Sequence, residues 1–409
     1  MVARMPLRLA FVSMHTSPAD LPGAGDAGGM NVVERAQAEA LAARGHTVEM
    51  ITRRSNPDVP EVIELAPGVT LRHLTAGPTE PLAKSRIDAY IPEFEAGLAT
   101  LGPYDLVHSH HWMSGVAALP VARAWGVPHV QSFHSVAALP GLSLSYGEPP
   151  ESAARVPGER LVAQESDAIV AISAAEARTV VERCGADPDA VCIVRPGVEQ
   201  DVFRPLDDSE EPWRPDGVAV ADWPRGYVLF AARLQPLKAP DLAIRALCCL
   251  EPGIRPKLVI AGDASADFAS YVSELRALVS ERGLTEDVIF LGPTPRSKLA
   301  PMMRGAELLL VPSYSETFGL VALEANASGT PVVASASGGL REAIVHGETG
   351  QLMDSREPYD WGRALTLLLT NDRLRCRQGM VARIHARQFD WDATAHALEG
   401  IYLGLIGDK

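Results

Sequence analysis

Two acids stand eight residues apart in the segment Ser315-Glu316-Thr317-Phe318-Gly319-Leu320-Val321-Ala322-Leu323-Glu324-Ala325. An apolar run, Leu308–Val311, leads into Pro312, a short loop and then a helical pattern. Glu316 is expected at the helix start, with Glu324 about two turns further on. A carboxylate accepts two hydroxyl hydrogen bonds, so one acid suits a sugar and the other a ribose. Free backbone N–H groups expected at Phe318, Gly319 and Leu320 suit a phosphate. The apolar neighbours of Glu324 argue against a solvated surface acid. Two bases complement the acids in Arg233-Leu234-Gln235-Pro236-Leu237-Lys238. Five apart on one loop, Arg233 and Lys238 can converge on a diphosphate, Arg as a two-pronged donor and Lys as a point charge. Such cations stabilise a leaving diphosphate as its charge develops. Two solvated surface cations are the competing reading.

A third candidate is the glycine-rich run Pro22–Asn31, with Gly23, Gly25, Gly28 and Gly29. Its position between a strand and a helix lets backbone N–H groups approach an anion. It fits the dinucleotide fingerprint poorly, and no acid follows the second strand to hold a ribose, which argues against a nicotinamide enzyme. His134 ends the strand-like Val127–Phe133, and His108, His110 and His111 cluster upstream. A chemical role and a packed imidazole are both open for His134. The histidine cluster admits a metal reading. With no HExxH and no zinc-finger spacing, no metal is expected.

The elements that must position these residues alternate. Leu7–Met14 reads as a first strand, Asn31–Arg44 as a helix ended by Gly45, and Thr47–Thr52 as the next strand. A short apolar run at Val107–His108, then Val127–Phe133 and Ala168–Ile172, follow. The pattern restarts with Tyr227–Ala232, a helix at Asp241–Leu250, and strands at Lys257–Ala261, Val288–Leu291, Leu308–Val311 and Pro331–Ala334. Short buried strands separated by helices predict a parallel sheet covered on both faces, here twice over. Asp201–Arg225 is polar, holds four prolines and has weak periodicity. It is read as the entry to the second domain, with the linker near Pro196–Pro205. Residues 1–200 would form one α/β domain and 201–390 another. Trp391–Leu405 carries one apolar helical stripe.

Composition bounds the partners. The chain has 409 residues, of which 47% are hydrophobic and 22% charged, which excludes wholesale disorder. A net charge of −14 makes nonspecific nucleic-acid binding unexpected. The five cysteines show no CxxC spacing, so neither a disulfide framework nor a zinc site is expected and a reducing cytoplasm fits. No apolar run reaches the ~18–20 residues of a membrane helix, so stable membrane insertion is not expected.

Taken in order, these pieces resemble the family 4 retaining glycosyltransferases of the GT-B fold. The acidic segment is similar to that family's E-x7-E motif, and Thr330–Ser335, Gly338–Leu340 and Gly347–Gly350 add to the likeness. Met14–Pro18, Pro22–Asn31, Thr75–Pro78, His108–Gly115, Pro150–Ser152 and Arg233–Lys238 resemble the mycothiol-pathway branch. That branch moves N-acetylglucosamine from UDP to 1D-myo-inositol 3-phosphate.

The resemblance implies two Rossmann-like domains facing a central cleft, with a C-terminal helix, 391–409, crossing back to the first. Arg233 and Lys238 would hold the donor diphosphate, Glu316 the sugar hydroxyls and Glu324 the ribose. Thr294 would lie near the base, Gly28 and Gly29 near the reaction centre, and His134 near the sugar's 6-hydroxyl. The acceptor would meet His15, Asp26, Met30, Asn31, Lys84, His111, Ser135 and Arg155, with Lys84 and Arg155 gripping its phosphate.

Departures fall at that pocket: His111 stands where the branch has Tyr, Ser135 where it has Thr, and Gly141–Pro150 is less polar. Ala239 stands where Gly is usual. A different donor and acceptor therefore stay open, as in an antibiotic-pathway relative that moves a GDP-octose onto the thiol of ergothioneine. So do a sugar-nucleotide binder without transfer and an epimerase. The co-substrate would be a UDP or GDP sugar without metal or other cofactor, and a homodimer is compatible.

Overall fold

Glycine and proline turns cut the apolar runs into short strands, and these assemble into two sheets. The computed structural model describes residues 6–22, 27–137, 152–264 and 268–407. Among the described residues, the first sheet has eight strands: β1 (Arg8–Val12), β2 (Thr47–Arg53), β3 (Val62–Ala66), β4 (Val69–Leu74), β5 (Leu106–His110), β6 (His129–Ser132), β7 (Ala168–Ala171) and β8 (Val191–Ile193). The second has six: β9 (Tyr227–Ala231), β10 (Lys257–Ala261), β11 (Val288–Gly292), β12 (Leu308–Val311), β13 (Val332–Ser335) and β14 (Gly350–Met353). Their orders are β3-β4-β2-β1-β5-β6-β7-β8 and β11-β10-β9-β12-β13-β14. All pair in parallel except β3 with β4. Parallel neighbours need crossover helices, so both faces of each sheet are covered.

Side-chain alternation divides each strand between two cores. In β1, Leu9 and Phe11 face one cluster while Ala10 and Val12 face another. In β9, Tyr227 and Leu229 oppose Val228 and Phe230 in the same way. Strand order then places the site. β1 lies between β2 and β5, and β9 between β10 and β12. Chain connections leave such a central strand in opposite directions and open a crevice beyond the carboxyl ends.

Four strands lie outside the sequence-expected set. β3 and β4 form an edge hairpin around Pro67-Gly68, where Arg72 and Glu64 mask the alternation; β8 and β14 are short and partly exposed. The proline-rich 201–225 is held by aromatic packing. Phe203 is fully buried in the second sheet's core, and the Trp213, Trp223 and Tyr227 rings meet edge to face.

The final helix, Trp391–Gly407, packs on the helix Gly29–Ala43 of the first lobe. Ala395, Leu398 and Tyr402 join the core beneath Leu9 and Phe11. Arg44 donates to Glu399 at 2.8 Å and to Asp392 at 2.7 Å. Where the chain returns, Gly197 lies against the Trp391 backbone, and a methyl there would overlap the Trp391 nitrogen. Gly197→Ala is therefore expected to cost about 1–3 kcal/mol, measured as a lowered denaturation midpoint; an unchanged midpoint would show that the crossing tolerates displacement.

Candidate active site

The loop after β9 and the loop after β12 lie side by side because their strands are neighbours, and Tyr314 N–H donates to Leu237 O at 2.8 Å between them. Lys238 Nζ donates to Glu316 Oε1 at 2.7 Å, and Ser313 Oγ donates to the same oxygen at 2.7 Å. The base expected to hold a diphosphate and the acid expected to hold a sugar thus hold each other. Glu316 is not at the helix start. The helix runs Leu320–Ala327, with Gly319 at its N-cap in the left-handed region (φ 97°), and Glu316 stands in the loop before it. Gly339 N–H donates to Glu316 O at 2.9 Å and fixes that loop.

Glu324 is buried within the helix and ion-paired with Arg296 at 2.8 Å. Burial raises its pKa above 4.5, and Arg296 opposes the rise. Arg296 also donates to Glu199 at 2.8 Å and lies over the Phe203 ring. Sequence reading missed Arg296. The available signal was its position just beyond Thr294, at the first residue of the helix Arg296–Gly305 that follows β11.

In the first lobe, Gly28 N–H donates to Asn31 Oδ1 at 2.9 Å. Asn31 Nδ2 donates to Thr16 Oγ1 and Ser17 O. Both amide hydrogens of Asn31 are used in holding the loop after β1, so it shapes the pocket rather than offering a donor to it. The His15 and His111 rings pack against each other with centroids 4.0 Å apart and planes tilted by 34°. Burial pushes both well below 6.5, and Lys84 and Arg155 add to the effect. Two neutral imidazoles therefore face the cations. Arg155 is 2% exposed; its Nε donates to Glu159 at 2.8 Å and its Nη2 to Ser135 Oγ at 3.0 Å. It stands behind Ser135 instead of in the pocket wall. His134 places Nε2 2.8 Å from His110 Nδ1, and its carbonyl accepts from Thr317 Oγ1 of the facing lobe at 2.6 Å.

These groups enclose a cleft of about 340 Å³, the size of a small-ligand site. Every residue that the resemblance assigns to the donor or acceptor site lines it except Arg155 and Asp26, the latter lying outside the described residues, as do Gly23, Gly25 and 141–150; His108 and His110 are not among the lining residues. Thr16 and Thr317, not foreseen, line it as well. Ala239, the departure from Gly, adopts left-handed backbone (φ 50°) beside Lys238 and is buried. The cleft therefore offers bases and free helix amides for an anion on one wall, and histidines with Lys84 on the other. Among the described residues no helix is long and apolar enough to cross a membrane.

Comparison with known proteins agrees with this geometry. Residues 28–197 match the family model "Glycosyl transferase 4-like domain", and residues 221–384 match "Glycosyl transferases group 1". The chain is 40% identical to a protein named D-inositol 3-phosphate glycosyltransferase from Acidothermus cellulolyticus, covering 99% of this chain and 92% of that one. It is 42% identical to a protein of the same name from Thermomonospora curvata, covering 97% and 95%. Among solved structures, sucrose-phosphate synthase from Thermosynechococcus elongatus superposes with a TM-score of 0.88 at 27% identity, covering 98% of this chain and 100% of that one. Anabaena HepE in complex with UDP and glucose shares the fold, with a TM-score of 0.76 at 18% identity over 97% and 99% of the two chains.

The Arg296–Glu324 pair sets a pH-dependent expectation. Arg296→Met leaves a buried acid without its counter-charge, which costs about 3 kcal/mol or more when that acid must ionise. Below 4.5 the acid is protonated folded and unfolded, and the pair contributes nothing. Above it the unfolded chain ionises while the folded variant resists. The stability gap between wild type and variant should widen from pH 5 to pH 8 in urea titrations; a gap independent of pH would exclude the pairing.

Proposed function

The chain belongs to the GT-B glycosyltransferases with family 4-like and group 1 halves, and from that premise we propose that it is a retaining enzyme. It takes a nucleoside-diphosphate sugar on the second lobe and a small anionic polyol on the first. The observation that carries this reading is the position of Lys238, Glu316 and the helix N-terminus at Gly319–Leu320, all in one cleft facing His15, His111 and Lys84. Lys238 and Arg233 take the diphosphate, with the amides at Phe318–Leu320 completing the cradle. Glu316 receives sugar hydroxyls and Glu324 the ribose, and Thr294 lies toward the base.

Among the described residues, the acids lining the cleft are Glu316 and Glu324, and each is already paired with a cation. A paired carboxylate is a poor nucleophile, which favours front-face displacement with an oxocarbenium-like transition state. The anomeric carbon–oxygen bond to the diphosphate breaks, the acceptor oxygen attacks from the same face, and the leaving diphosphate takes the acceptor's proton. Arg233, Lys238 and the helix amides stabilise the charge that develops, and no metal is needed in this scheme.

The proposed donor and acceptor are UDP-N-acetylglucosamine and inositol 3-phosphate, following the relatives' names and the sequence likeness. Lys84 supplies the phosphate grip, with Arg155 acting through Ser135. The His111–His15 pair favours a second reading, in which the acceptor is a different polar molecule, with oxygen or sulfur as the attacking atom.

A thermal-shift panel of UDP, GDP and their sugars, each with and without inositol 3-phosphate or ergothioneine, separates the readings. The bound nucleotide sugar should raise the melting temperature by mass action, and the true acceptor should raise it further. If no nucleotide shifts the transition, the proposal fails. Lys238→Ala should lower turnover by about a hundredfold or more with the fold retained, as read from initial rates and melting curves. Undiminished turnover would exclude the role given to Lys238.

A further inference from the structure

Three histidines and a tyrosine connect the C-terminal helix to the cleft. His108 and His110 project from the same face of β5, two residues apart, and both are fully buried. Their rings stack at 4.4 Å, Phe11 packs on both, and the His110 ring meets that of His134 edge to edge and nearly coplanar, with centroids 5.1 Å apart.

Proton positions follow from the hydrogen bonds. Ser132 Oγ donates to Val170 O at 3.1 Å, so it can only accept from His108 Nε2 at 2.9 Å. His108 therefore carries its proton on Nε2, and Nδ1 accepts from the Tyr402 hydroxyl at 2.7 Å. The His110–His134 contact has no such third partner. His110 Nδ1 and His134 Nε2 are 2.8 Å apart and share one proton, while His110 Nε2 and His134 Nδ1 are buried with no protein partner. Burial keeps both rings neutral, pushing His134 down to about 3 and His110 well below 6.5. If His134 donated, the proton of His110 would sit on Nε2, in a residue with no exposed surface and nothing to receive it. If His110 donates, the unmet N–H is Nδ1 of His134, and His134, unlike His110, is a residue of the cleft lining.

We infer that His110 is a positioning residue that donates its Nδ1–H to His134 Nε2 and so fixes His134 as the Nδ1–H tautomer, a neutral hydrogen-bond donor for a hydroxyl oxygen of the donor's sugar. The sugar contact rests on the proposed function; the tautomer does not. His108 and Tyr402 hold His110 from below, so the C-terminal helix supports a ring at the reaction centre.

The test uses the full chain. Long-range nitrogen–proton spectra of 15N-histidine-labelled protein, with His134→Gln to assign the signals, read the tautomer directly. His110→Asn keeps an N–H near the Nδ1 position, and His110→Leu removes it. Wild type and His110→Asn should show His134 protonated on Nδ1, and His110→Leu should lose that preference. Calorimetry with UDP and UDP-N-acetylglucosamine, or with the guanine pair if the panel selects it, reads the sugar contact. His110→Leu should lower the affinity ratio of sugar nucleotide to nucleotide by about tenfold, with nucleotide binding unchanged, and His110→Asn should restore most of it. A wild-type His134 protonated on Nε2, or an unaltered ratio in His110→Leu, overturns the inference. A wild type that binds no nucleotide refutes the proposed function, while the spectra still decide the tautomer.

Discussion

A cleft lined by bases and acids cannot keep those charges bare, because each unpaired ion removed from water costs several kcal/mol. The Lys238–Glu316 pair meets that constraint, and much of the second lobe serves it. The two residues lie 78 positions apart and meet only because β9 and β12 are neighbours at the point where the sheet changes direction. Ser313 shares the carboxylate, and the Tyr314–Leu237 bond ties the loops. The diphosphate of the proposed donor would find a cation already oriented and need only share it, so that the ordering cost falls in folding instead of in binding.

The Arg296–Glu324 pair does the same at the other end of the site. Its acid sits in a buried helix, and its base extends to Glu199 in the segment joining the lobes. Arg296 thereby ties the acid lining the cleft to the connection between the lobes. Further bonds join the two halves: Thr317 to the His134 carbonyl, and Glu342 to both the Ala174 amide and Arg195. Val33, Ile172 and Val198 pack in the same cluster as Phe318 and Leu323. The lobes meet through a shared apolar floor with polar bonds above it, an arrangement suited to keeping water from an activated sugar.

The first lobe handles polarity differently. Its wall rests on neutral imidazoles in pairs, His15 packed on His111 and His134 hydrogen-bonded to His110 behind it, with the charge of Arg155 neutralised by Glu159 behind Ser135. Rings that stay neutral can lie close to Lys84 without repulsion and still present nitrogen donors or acceptors. On the proposed function, an imidazole at position 111, where the resemblance implies a phenol, would change which hydrogen bonds an acceptor meets while leaving the cations in place.

The doubly wound architecture was legible in the sequence, because buried parallel strands must be apolar on both faces and their runs stand out between glycine and proline turns. So were the bases and acids themselves, since Arg233, Lys238, Glu316 and Glu324 sit at strand ends or among apolar neighbours where charge needs a reason. The edge hairpin at 62–74 was not legible, because a strand with one polar face resembles a loop. Nor were the partners. Lys238 with Glu316, Arg296 with Glu324, Asn31 spent on its own loop, Arg155 held behind Ser135, and the histidine chain ending at Tyr402 all join residues distant in sequence. Local pattern records whether a side chain is polar and where along an element it stands, and strand order and packing alone decide which other side chain it meets.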